Sequence, residues 1–250
     1  MRACIFIADR KGAEDILAHL MDRGHEIVCC VIEKDCNNGL FEFCKKNDIP
    51  ITSYNEVKAN LDKGIIIKCD YAFSFLYHKI IKKDVIDMFD GNIINFHPSL
   101  VEIHKGIGSY CYCLLNEYRR WGCTAHFLAE GIDEGDIILQ REYDVPDRCY
   151  GYELEGIQNR ELIELFKDVI TIIEDNKGIP RIKQDTSKGV YFSQKDLDKE
   201  KQISLDDKSD NIDKKIRALW RPPYTGAYIV LDGKKYSLVS EELLEKLSLQ

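Results

Sequence analysis

The first 95 residues alternate short apolar runs with amphipathic stretches, and this alternation limits the possible folds more than any other feature of the chain. Runs with the composition of buried strands occupy residues 3–8, 27–32, 71–76 and 92–96. Stretches with helical periodicity lie near residues 13–23, 40–47, 56–61 and 82–89. Apolar strands separated by helices are typical of parallel sheets that are covered on both faces. The sequence therefore predicts an α/β fold with a mostly parallel twisted sheet and helices on both faces.

The second half of the chain predicts a continuation of this domain and then a smaller unit. We expect a helix over residues 108–119, strands over 123–128 and 137–145, and a long helix over 151–175. The sequence Asn176-Lys177-Gly178 is a helix stop signal, so we place a domain boundary there. The predicted units are a main domain, 1–178, and a small C-terminal subdomain, 179–250. In the subdomain a polar connector over 179–210 precedes a helix near 211–219 and a β-hairpin over 228–239.

Charge and hydropathy exclude several classes of partner. The 35 basic and 43 acidic residues leave a net charge of −8, which disfavours binding to nucleic acid or to an anionic membrane surface. A small anionic ligand would need a local basic pocket. The longest apolar runs are far shorter than the roughly 20 residues of a transmembrane helix. The N-terminal residues enter a strand directly instead of forming a signal peptide, so we expect a cytoplasmic protein.

Cysteine and glycine patterns argue against metal and dinucleotide sites. The chain has ten Cys without a Cys-x-x-Cys pair, and many lie on apolar stretches, so we expect reduced core thiols and no structural zinc. The turn after the first strand reads Asp-Arg-Lys-Gly-Ala from Asp9. Because this turn lacks the glycine triplet of a dinucleotide fingerprint, binding of NAD or FAD is not supported.

The most informative segment is the end of the fourth predicted strand, which reads Asn-Phe-His-Pro-Ser-Leu from Asn95. Side chains at positions i and i+2 of a strand point to the same face, so Asn95 and His97 share one face at a carboxyl end of the sheet. Reactive groups of α/β enzymes occupy such positions. From the residues alone, a catalytic role and a role in capping the next loop are both open.

This segment, together with a second one, resembles the folate-dependent formyltransferases. The second segment reads Gly-Ile-Asp-Glu-Gly-Asp-Ile-Ile from Gly131 and contains Asp133, which follows His97 by 36 residues. The family includes glycinamide ribonucleotide, methionyl-tRNA and sugar N-formyltransferases. The resemblance covers roughly residues 65–145, because residues 73–81 also look like the family's loop around the pterin. It implies a formyltransferase fold, N-formyltransferase activity, 10-formyltetrahydrofolate as co-substrate without a metal, and a catalytic triad of Asn95, His97 and Asp133.

The chemistry of formyl transfer suits these three side chains. The reaction needs a neutral amine, stabilisation of an oxyanion and transfer of a proton to the folate nitrogen. The Asn95 amide can donate a hydrogen bond to the oxyanion, and His97 can donate a second one or carry the proton. Asp133 can hold His97 or order a water that relays the proton. Without the spacing to His97, Asp133 would be interpreted as an ordinary turn residue.

The resemblance also implies where the folate binds. The pterin is expected against the loop after the third strand and against the acidic loop, held largely by backbone groups. The cofactor-binding residues predicted in these two loops are Phe75, Tyr77, Lys79, Ile80, Ile81, Glu130 and Ile132.

The chain departs from the family pattern after Leu100. Most relatives continue with Leu-Pro and then a basic residue before Gly, whereas residues 101–106 read Val-Glu-Ile-His-Lys-Gly. Lys105 keeps the basic residue, but the missing proline leaves the conformation of the loop and the identity of the acceptor open. We expect His104 on the surface of this loop. A metal site is the alternative for this region, with the ligands His97, His104 and His126.

The C-terminal region contains Tyr-Phe-Ser from Tyr191, Asp-Lys-Lys-Ile-Arg-Ala-Leu from Asp213 and Trp-Arg-Pro-Pro-Tyr-Thr-Gly from Trp220. With these segments it resembles the C-terminal region of the sugar N-formyltransferases. This likeness implies a nucleotide-linked acceptor, with a dTDP-linked 3-amino or 4-amino dideoxyhexose of surface polysaccharide as the first choice. Candidate contacts to its diphosphate and its rings are basic and aromatic: Lys105, Arg217, Trp220, Arg221 and Tyr224. The two aromatic residues could instead pack the C-terminal region onto the core. The exposed edges of the predicted hairpin favour a homodimer.

Other acceptors and roles remain alternatives. A methionyl-tRNA formyltransferase would be expected to carry a basic C-terminal barrel, and a glycinamide ribonucleotide formyltransferase to lack the C-terminal region. A formyltetrahydrofolate hydrolase would use water as the acceptor. A folate-binding regulator without turnover would not need all three residues of the triad.

Overall fold

The fold is described from a computed structural model that covers residues 1–33 and 38–248. In this part of the chain the strands are β1 (Arg2–Ile7), β2 (Glu26–Val31), β3 (Ile51–Thr52), β4 (Tyr71–Phe75), β5 (Ile93–His97), β6 (His104–Gly106), β7 (Arg120–Phe127), β8 (Ile137–Asp144), β9 (Val190–Phe192), β10 (Tyr228–Leu231) and β11 (Lys234–Ser237). The helices are α1 (Ala13–Asp22), α2 (Asn38–Lys46), α3 (Tyr54–Leu61), α4 (Lys83–Met88), α5 (Ser109–Leu115), α6 (Gly151–Glu174), α7 (Gln194–Lys201), α8 (Ser209–Leu219) and α9 (Glu241–Ser248).

Seven strands form the main sheet in the order β3-β2-β1-β4-β5-β7-β8. The first five are parallel to one another; at one edge β7 pairs antiparallel to β5, and β8 pairs antiparallel to β7. The four strands expected in the first 95 residues all occur, each within one or two residues of its predicted bounds. The prediction of a mostly parallel sheet in an α/β fold is therefore confirmed.

Helices cover the sheet on both faces. One apolar cluster includes buried residues of α1, α2 and α6. In it, the ring centroid of Phe166 lies 4.9 Å from that of Phe96 and 5.5 Å from that of Phe73. A separate cluster on the other face includes residues of α3 and α4. The two clusters bury both faces of β1, which explains why its sequence is apolar at nearly every position.

The helix predicted over 108–119 is shorter than expected. It ends at Leu115, because Glu117 adopts a left-handed backbone with a φ of 57° that an α-helix cannot contain. The next strand accordingly begins three residues early, at Arg120.

The C-terminal region contains more regular structure than predicted. Residues 179–210, expected to be a connector, contain β9 and α7, and β9 pairs in parallel with β6. Buried residues of α8, such as Ile216 and Leu219, share an apolar cluster with Leu154 of α6. The boundary after Gly178 stays a prediction, and residues 249–250 of the predicted subdomain lie outside the described residues.

The hairpin of β10 and β11 forms as expected, and its apolar side chains Val230, Leu231 and Tyr236 are exposed. The homodimer inferred from this hairpin stays a prediction. The nine cysteines in the described residues are free thiols, and all but Cys69 are buried. Among the helices of residues 1–33 and 38–248, none is both long and apolar enough to cross a membrane.

Candidate active site

A cavity of about 1080 Å³ opens at the carboxyl ends of β1, β4 and β5. Its wall includes the residues that follow these strands: 9–11 after β1, 76–81 after β4 and 97–98 at the end of β5. From β1 the chain adds β2 and β3 on one side, and then returns to add β4 and β5 on the other. Ligands of α/β sheets bind where the strand order reverses in this way.

Two of the three predicted catalytic residues lie on β5. Asn95 and His97 both line the cavity, as the two-residue period of a strand requires. Between them, Phe96 packs against Phe166 in the main core. Only 4% of the surface of His97 is exposed. The strand therefore fixes both polar side chains on a rigid element.

Asp133 completes this group from the loop between β7 and β8. Its Oδ1 atom lies 3.6 Å from Nδ1 of His97 and 3.5 Å from Nε2 of His126. Its Oδ2 atom accepts a hydrogen bond of 2.9 Å from the backbone N–H of Gly106. The backbone of Asp133 is left-handed, with a φ of 55°. The predicted triad is thus assembled in one cavity by two distant segments of the chain.

The surroundings of the triad shift two pKa values downward. Burial alone would raise the pKa of Asp133, but the charges of His97 and His126 and the hydrogen bonds from His126 and Gly106 outweigh burial, so this pKa lies well below its usual range. Burial lowers the pKa of His97, and the charge of Asp133 offsets only part of that effect. An ionised Asp133 therefore faces a neutral His97 at neutral pH. The Nε2 atom of His97 is buried and has no hydrogen-bond partner among the described residues.

His126 belongs to this group, and the sequence analysis considered it only as a metal ligand. It pairs directly with Asn95 across the antiparallel strands β5 and β7. Its Nδ1 atom lies 2.8 Å from the carbonyl oxygen of Phe127, which can only accept, so Nδ1 carries a proton. Its Nε2 atom lies 3.1 Å from the Asn95 amide nitrogen. Neutral His126 can therefore accept a hydrogen bond from Asn95, and protonated His126 can donate one to Asp133.

The prediction that His104 lies on the surface is wrong. Its side chain is fully buried, and Nε2 donates a hydrogen bond of 3.0 Å to the carbonyl of Ile107. Its ring lies nearly parallel to that of His97, and their centroids are 6.0 Å apart. Burial, followed by the charge of His97, lowers the pKa of His104 to about 4. As for the alternative metal site, no cluster of three or more His, Cys, Asp or Glu in residues 1–33 and 38–248 is arranged to hold a metal ion.

Six of the seven residues predicted to bind folate line the cavity. They are Tyr77, Lys79, Ile80 and Ile81 on one side, and Glu130 and Ile132 on the other. Phe75 is the exception, because its side chain is fully buried in the main core against Phe166. The alternation of side chains along β4 places Ser74 at the cavity instead, so Phe75 is corrected to a core residue.

Glu33 holds the loop that carries Tyr77 and Lys79, a role that no pattern in the sequence indicated. Glu33 is 7% exposed, and its carboxylate accepts hydrogen bonds of 2.5 Å from both the Tyr77 hydroxyl and the Lys79 ammonium. Burial of Glu33 opposes ionisation, but Lys79 and Tyr77 outweigh it and lower its pKa. An ionised Glu33 therefore fixes the loop after β4 from outside the cavity.

The predicted substrate contacts divide into two groups. Arg221 and Tyr224 line the cavity, and the Arg221 guanidinium lies 4.4 Å from the centre of the Tyr224 ring. Arg217 instead pairs with Asp213 one turn away on α8, and Trp220 packs in the apolar cluster of the C-terminal region. Neither is in position to contact a ligand in the cavity, and both predictions are corrected.

The prediction that Lys105 contacts the diphosphate is also corrected. Only 3% of its surface is exposed, and its ammonium group lies 3.3 Å from the Glu134 carboxylate and 3.4 Å from the carbonyl of Thr186. A buried cation with both a carboxylate and a carbonyl as partners is already neutralised, so it has no reason to bind a second anion.

Two cations that the sequence analysis missed line the cavity just after β1. Arg10 and Lys11 are exposed, and neither pairs with a carboxylate of the described residues. Arg10 donates a hydrogen bond of 3.1 Å to the Tyr224 hydroxyl. Next to them, Oδ2 of Asp9 is buried and has no hydrogen-bond partner in the described part of the chain. Their position after the first strand of an α/β sheet was the signal that could have identified them.

Comparison with known proteins identifies the family of the chain. A sequence profile described as Formyl transferase matches residues 1–160, which is more than half of the chain. The chain belongs to this family. The resemblance found in the sequence to the folate-dependent formyltransferases is thereby confirmed, and so is the expectation of an N-formyltransferase.

Individual members of the formyl transferase family resemble the chain over most of its length. The methionyl-tRNA formyltransferase of Carboxydothermus hydrogenoformans is 30% identical over 245 residues, which is 94% of this chain and 78% of that enzyme. The GDP-perosamine N-formyltransferase of Brucella melitensis biotype 1 is 25% identical over 247 residues, 94% of this chain and 91% of that enzyme.

A solved structure shares the fold. The N-formyltransferase of Helicobacter canadensis, in complex with folinic acid and dTDP-3-aminofucose, superimposes with a TM-score of 0.75 at 21% identity. The match covers 92% of this chain and 84% of that one. The family thus includes members that are similar to this chain and differ in their acceptors.

Proposed function

We propose that this enzyme transfers the formyl group of 10-formyltetrahydrofolate to the amine of a nucleotide-linked amino sugar, with a dTDP-linked dideoxyhexose as the preferred acceptor. The observation that carries the proposal is that Arg10 and Lys11, two cations without a carboxylate partner among the described residues, line the same cavity as the triad. A diphosphate is a small dianion, and two exposed cations on one loop suit its charge.

The rest of the acceptor fits the same end of the cavity. Tyr224 offers an aromatic face to a base or sugar ring, although Arg221 already occupies one side of that face. The unpartnered Oδ2 of Asp9 is an acceptor for a sugar hydroxyl or amine. Its negative charge beside Arg10 also disfavours an acceptor that presents only phosphate there.

A second part of the cavity wall fits a folate. Ile80 and Ile132 line it and expose 60% and 40% of their surfaces, so a flat aromatic ring would cover apolar side chains that are now open to solvent. The cavity is slightly larger than is usual for one small ligand, which is what two co-substrates require.

Charge in the C-terminal region argues against tRNA as the acceptor. Seven of its cations have carboxylate partners within 4 Å: Lys188, Lys201, Lys214, Lys215, Arg217, Arg221 and Lys246. These pairs reduce the positive charge that the region could offer to a polyanion, and the chain as a whole carries a net charge of −8. A nucleic-acid interface depends on an extended basic face.

The bonds and protons of the formyl transfer balance, and the triad has groups that can assist it. The amine nitrogen of the acceptor forms a bond to the formyl carbon, and the bond between that carbon and N10 of the folate breaks. One proton leaves the amine and one reaches N10, so the products are a formamide and tetrahydrofolate. The imidazole of His97, which lines the cavity, can carry the proton. The second N–H of the Asn95 amide can donate to the carbonyl oxygen as negative charge develops on it.

Ligand-dependent unfolding tests the acceptor class directly. A ligand that binds only the folded state, present at 100 times its Kd, adds about 2.7 kcal/mol to the free energy of unfolding. We expect dTDP to raise the melting temperature of the wild-type enzyme and to have little effect on the Arg10→Ala, Lys11→Ala double variant, while tetrahydrofolate stabilises both. Lys63→Ala, at an exposed cation outside the cavity, is the matched control.

Comparison of nucleotides and of tRNA completes this test. UDP and GDP in parallel with dTDP would identify the base. Methionyl-tRNA at physiological salt should not shift the melting temperature. Stabilisation by methionyl-tRNA but by none of the three nucleotides would contradict the proposal.

A further inference from the structure

One segment of the C-terminal region crosses both loops that contact the triad. It comprises residues 182–192, called here the crossing segment. At one end Ile182 forms two backbone hydrogen bonds with Ile137, of 2.7 and 2.9 Å, at the start of β8. At the other end β9 pairs with β6, next to His104. The crossing segment therefore connects the loop of Asp133 to the loop that covers His97.

Gln184 is the contact between the crossing segment and the backbone of the Asp133 loop. Its amide nitrogen donates hydrogen bonds to the carbonyl oxygens of Asp133, at 3.0 Å, and of Gly135, at 2.6 Å. The first of these bonds is made to Asp133 itself, whose backbone is left-handed, a conformation uncommon for residues other than glycine. Such a conformation persists when its surroundings determine it. Gln184 supplies two of the contacts that do so.

Through Lys105, the crossing segment also holds the loop whose next residue, Gly106, binds the Asp133 carboxylate. The carbonyl of Thr186 accepts a hydrogen bond of 3.4 Å from the Lys105 ammonium, which also lies 3.3 Å from Glu134. The next residue, Gly106, donates its backbone N–H to Oδ2 of Asp133. The backbone and the carboxylate of Asp133 are thus both fixed by contacts that depend on the crossing segment.

Glycine makes this close approach possible at two places. Gly189 has a φ of 82°, and a Cβ atom there would lie 2.4 Å from the carbonyl oxygen of Val101. Gly106 has a φ of 88°, and a Cβ atom there would lie 2.6 Å from the carbonyl oxygen of Phe192. Any other residue would push the crossing segment away from the loop of β6. Glycine at these two positions therefore keeps the crossing segment in contact with the loop of β6.

We infer that Gln184 is a positioning residue for catalysis, which acts by holding Asp133 against His97 and His126. This inference rests on the proposed function for its kinetic readout, because Asp133 is there assigned to the triad. Gln184 lies behind the Asp133 loop and is not part of the cavity wall, so it has no direct contact with a ligand in the cavity. Its removal should therefore slow turnover without weakening the binding of either co-substrate.

Two substitutions separate the hydrogen bonds from the packing of the side chain. Gln184→Glu keeps the size of the side chain and replaces its donor by a carboxylate that faces two carbonyl oxygens. Gln184→Ala removes the donor and most of the side chain. Lys183→Ala, at the exposed neighbouring residue, is the matched control. A misplaced catalytic group can cost up to about 100-fold in rate, so we expect kcat to fall by about tenfold or more in both Gln184 variants, with unchanged KM values.

A second readout does not need turnover. The carboxyl pKa of Asp133 is followed by NMR of protein with ¹³C-labelled aspartate, with the resonance assigned by comparison with Asp133→Asn. When Asp133 moves away from His97, His126 and the Gly106 N–H, its pKa should rise toward the ordinary aspartate value. It should stay low in Lys183→Ala. If the wild-type enzyme formylates none of the acceptors tried, the proposed function fails, and this titration alone decides the role of Gln184.

The remaining outcomes overturn the inference. An unchanged kcat together with an unchanged pKa of Asp133 would show that the loop keeps its geometry without Gln184. A raised KM at constant kcat would make Gln184 a binding residue instead. Loss of the folded state in both variants, seen by circular dichroism, would assign Gln184 to the stability of the fold.

Discussion

Oδ1 of Asp133 lies 3.6 Å from Nδ1 of His97, although the two residues belong to different segments and meet only through the fold. The contact orients the imidazole of His97 in the cavity that it shares with Asn95. It also places the negative charge of Asp133 where it stabilises a protonated His97 during turnover. This relationship is the basis of the first two predictions.

Asp133→Asn should lower kcat by about 100-fold or more, because a group that supports proton transfer typically contributes that much. Binding of tetrahydrofolate and the melting temperature should change little. Asp136→Asn, in the same loop, is the control. Steady-state kinetics at saturating folate measures the effect, and a kcat within about threefold of wild type would remove Asp133 from the mechanism.

The imidazole of His97 should titrate below the ordinary histidine value of 6.5, because burial disfavours its protonated form. In Asp133→Asn its pKa should fall further, since the carboxylate that favours protonation is gone. Because the folded-state pKa lies below that of the unfolded chain, protonation of His97 destabilises the fold, and its contribution to stability rises with pH through this range. NMR of ¹⁵N-labelled histidine measures both values. A His97 pKa at or above 6.5 in the wild type would contradict the account.

Glu33→Gln should weaken the binding of tetrahydrofolate by about tenfold, because hydrogen bonds to a charged group contribute about 1.5–3 kcal/mol and here they hold the loop of Tyr77 and Lys79. The KM for the acceptor should not change. Titration calorimetry gives the affinity, with the exposed Glu42→Gln as a control. Equal folate affinities in the Glu33 variant and the wild type would show that the loop is held by its backbone alone.

Leu219→Ala should destabilise the whole protein by about 2–5 kcal/mol, the usual range for a buried leucine. Leu219 is 3% exposed in the cluster that joins α8 to α5 and α6, so we expect denaturant unfolding to remain one transition. Leu205→Ala, at a side chain that is 76% exposed, should have an effect below about 0.5 kcal/mol. Two separate transitions, with only one shifted by the substitution, would show that the predicted C-terminal subdomain unfolds independently.

Much of the fold and the triad could be predicted because local patterns determine them. The apolar runs of β1, β2, β4 and β5 identify a parallel sheet, and the two-residue period of β5 puts Asn95 and His97 on one face. The same period, applied to β4, would have assigned Phe75 to the core. Asp133 was found through the family motif, since an aspartate in a turn has no distinctive local pattern.

The remaining features depend on contacts between segments far apart in the sequence. His126 meets Asn95 only through the register of an antiparallel pair, which the sequence does not determine. His104 is buried because β9 pairs with its strand. Glu33 reaches Lys79 across two loops at one end of the sheet. No local periodicity contains this information.

The central claim is that the triad catalyses the formylation of a small nucleotide-linked amine. The most direct test supplies 10-formyltetrahydrofolate with each member of a panel of dTDP-, UDP- and GDP-linked 3-amino and 4-amino dideoxyhexoses, and with methionyl-tRNA and glycinamide ribonucleotide. Formation of tetrahydrofolate is followed, with an acceptor-free reaction to measure hydrolysis. We predict turnover with at least one sugar nucleotide, a loss of about 100-fold in Asp133→Asn with that acceptor, and none with methionyl-tRNA. Turnover only with methionyl-tRNA, with glycinamide ribonucleotide or without any acceptor would contradict the claim.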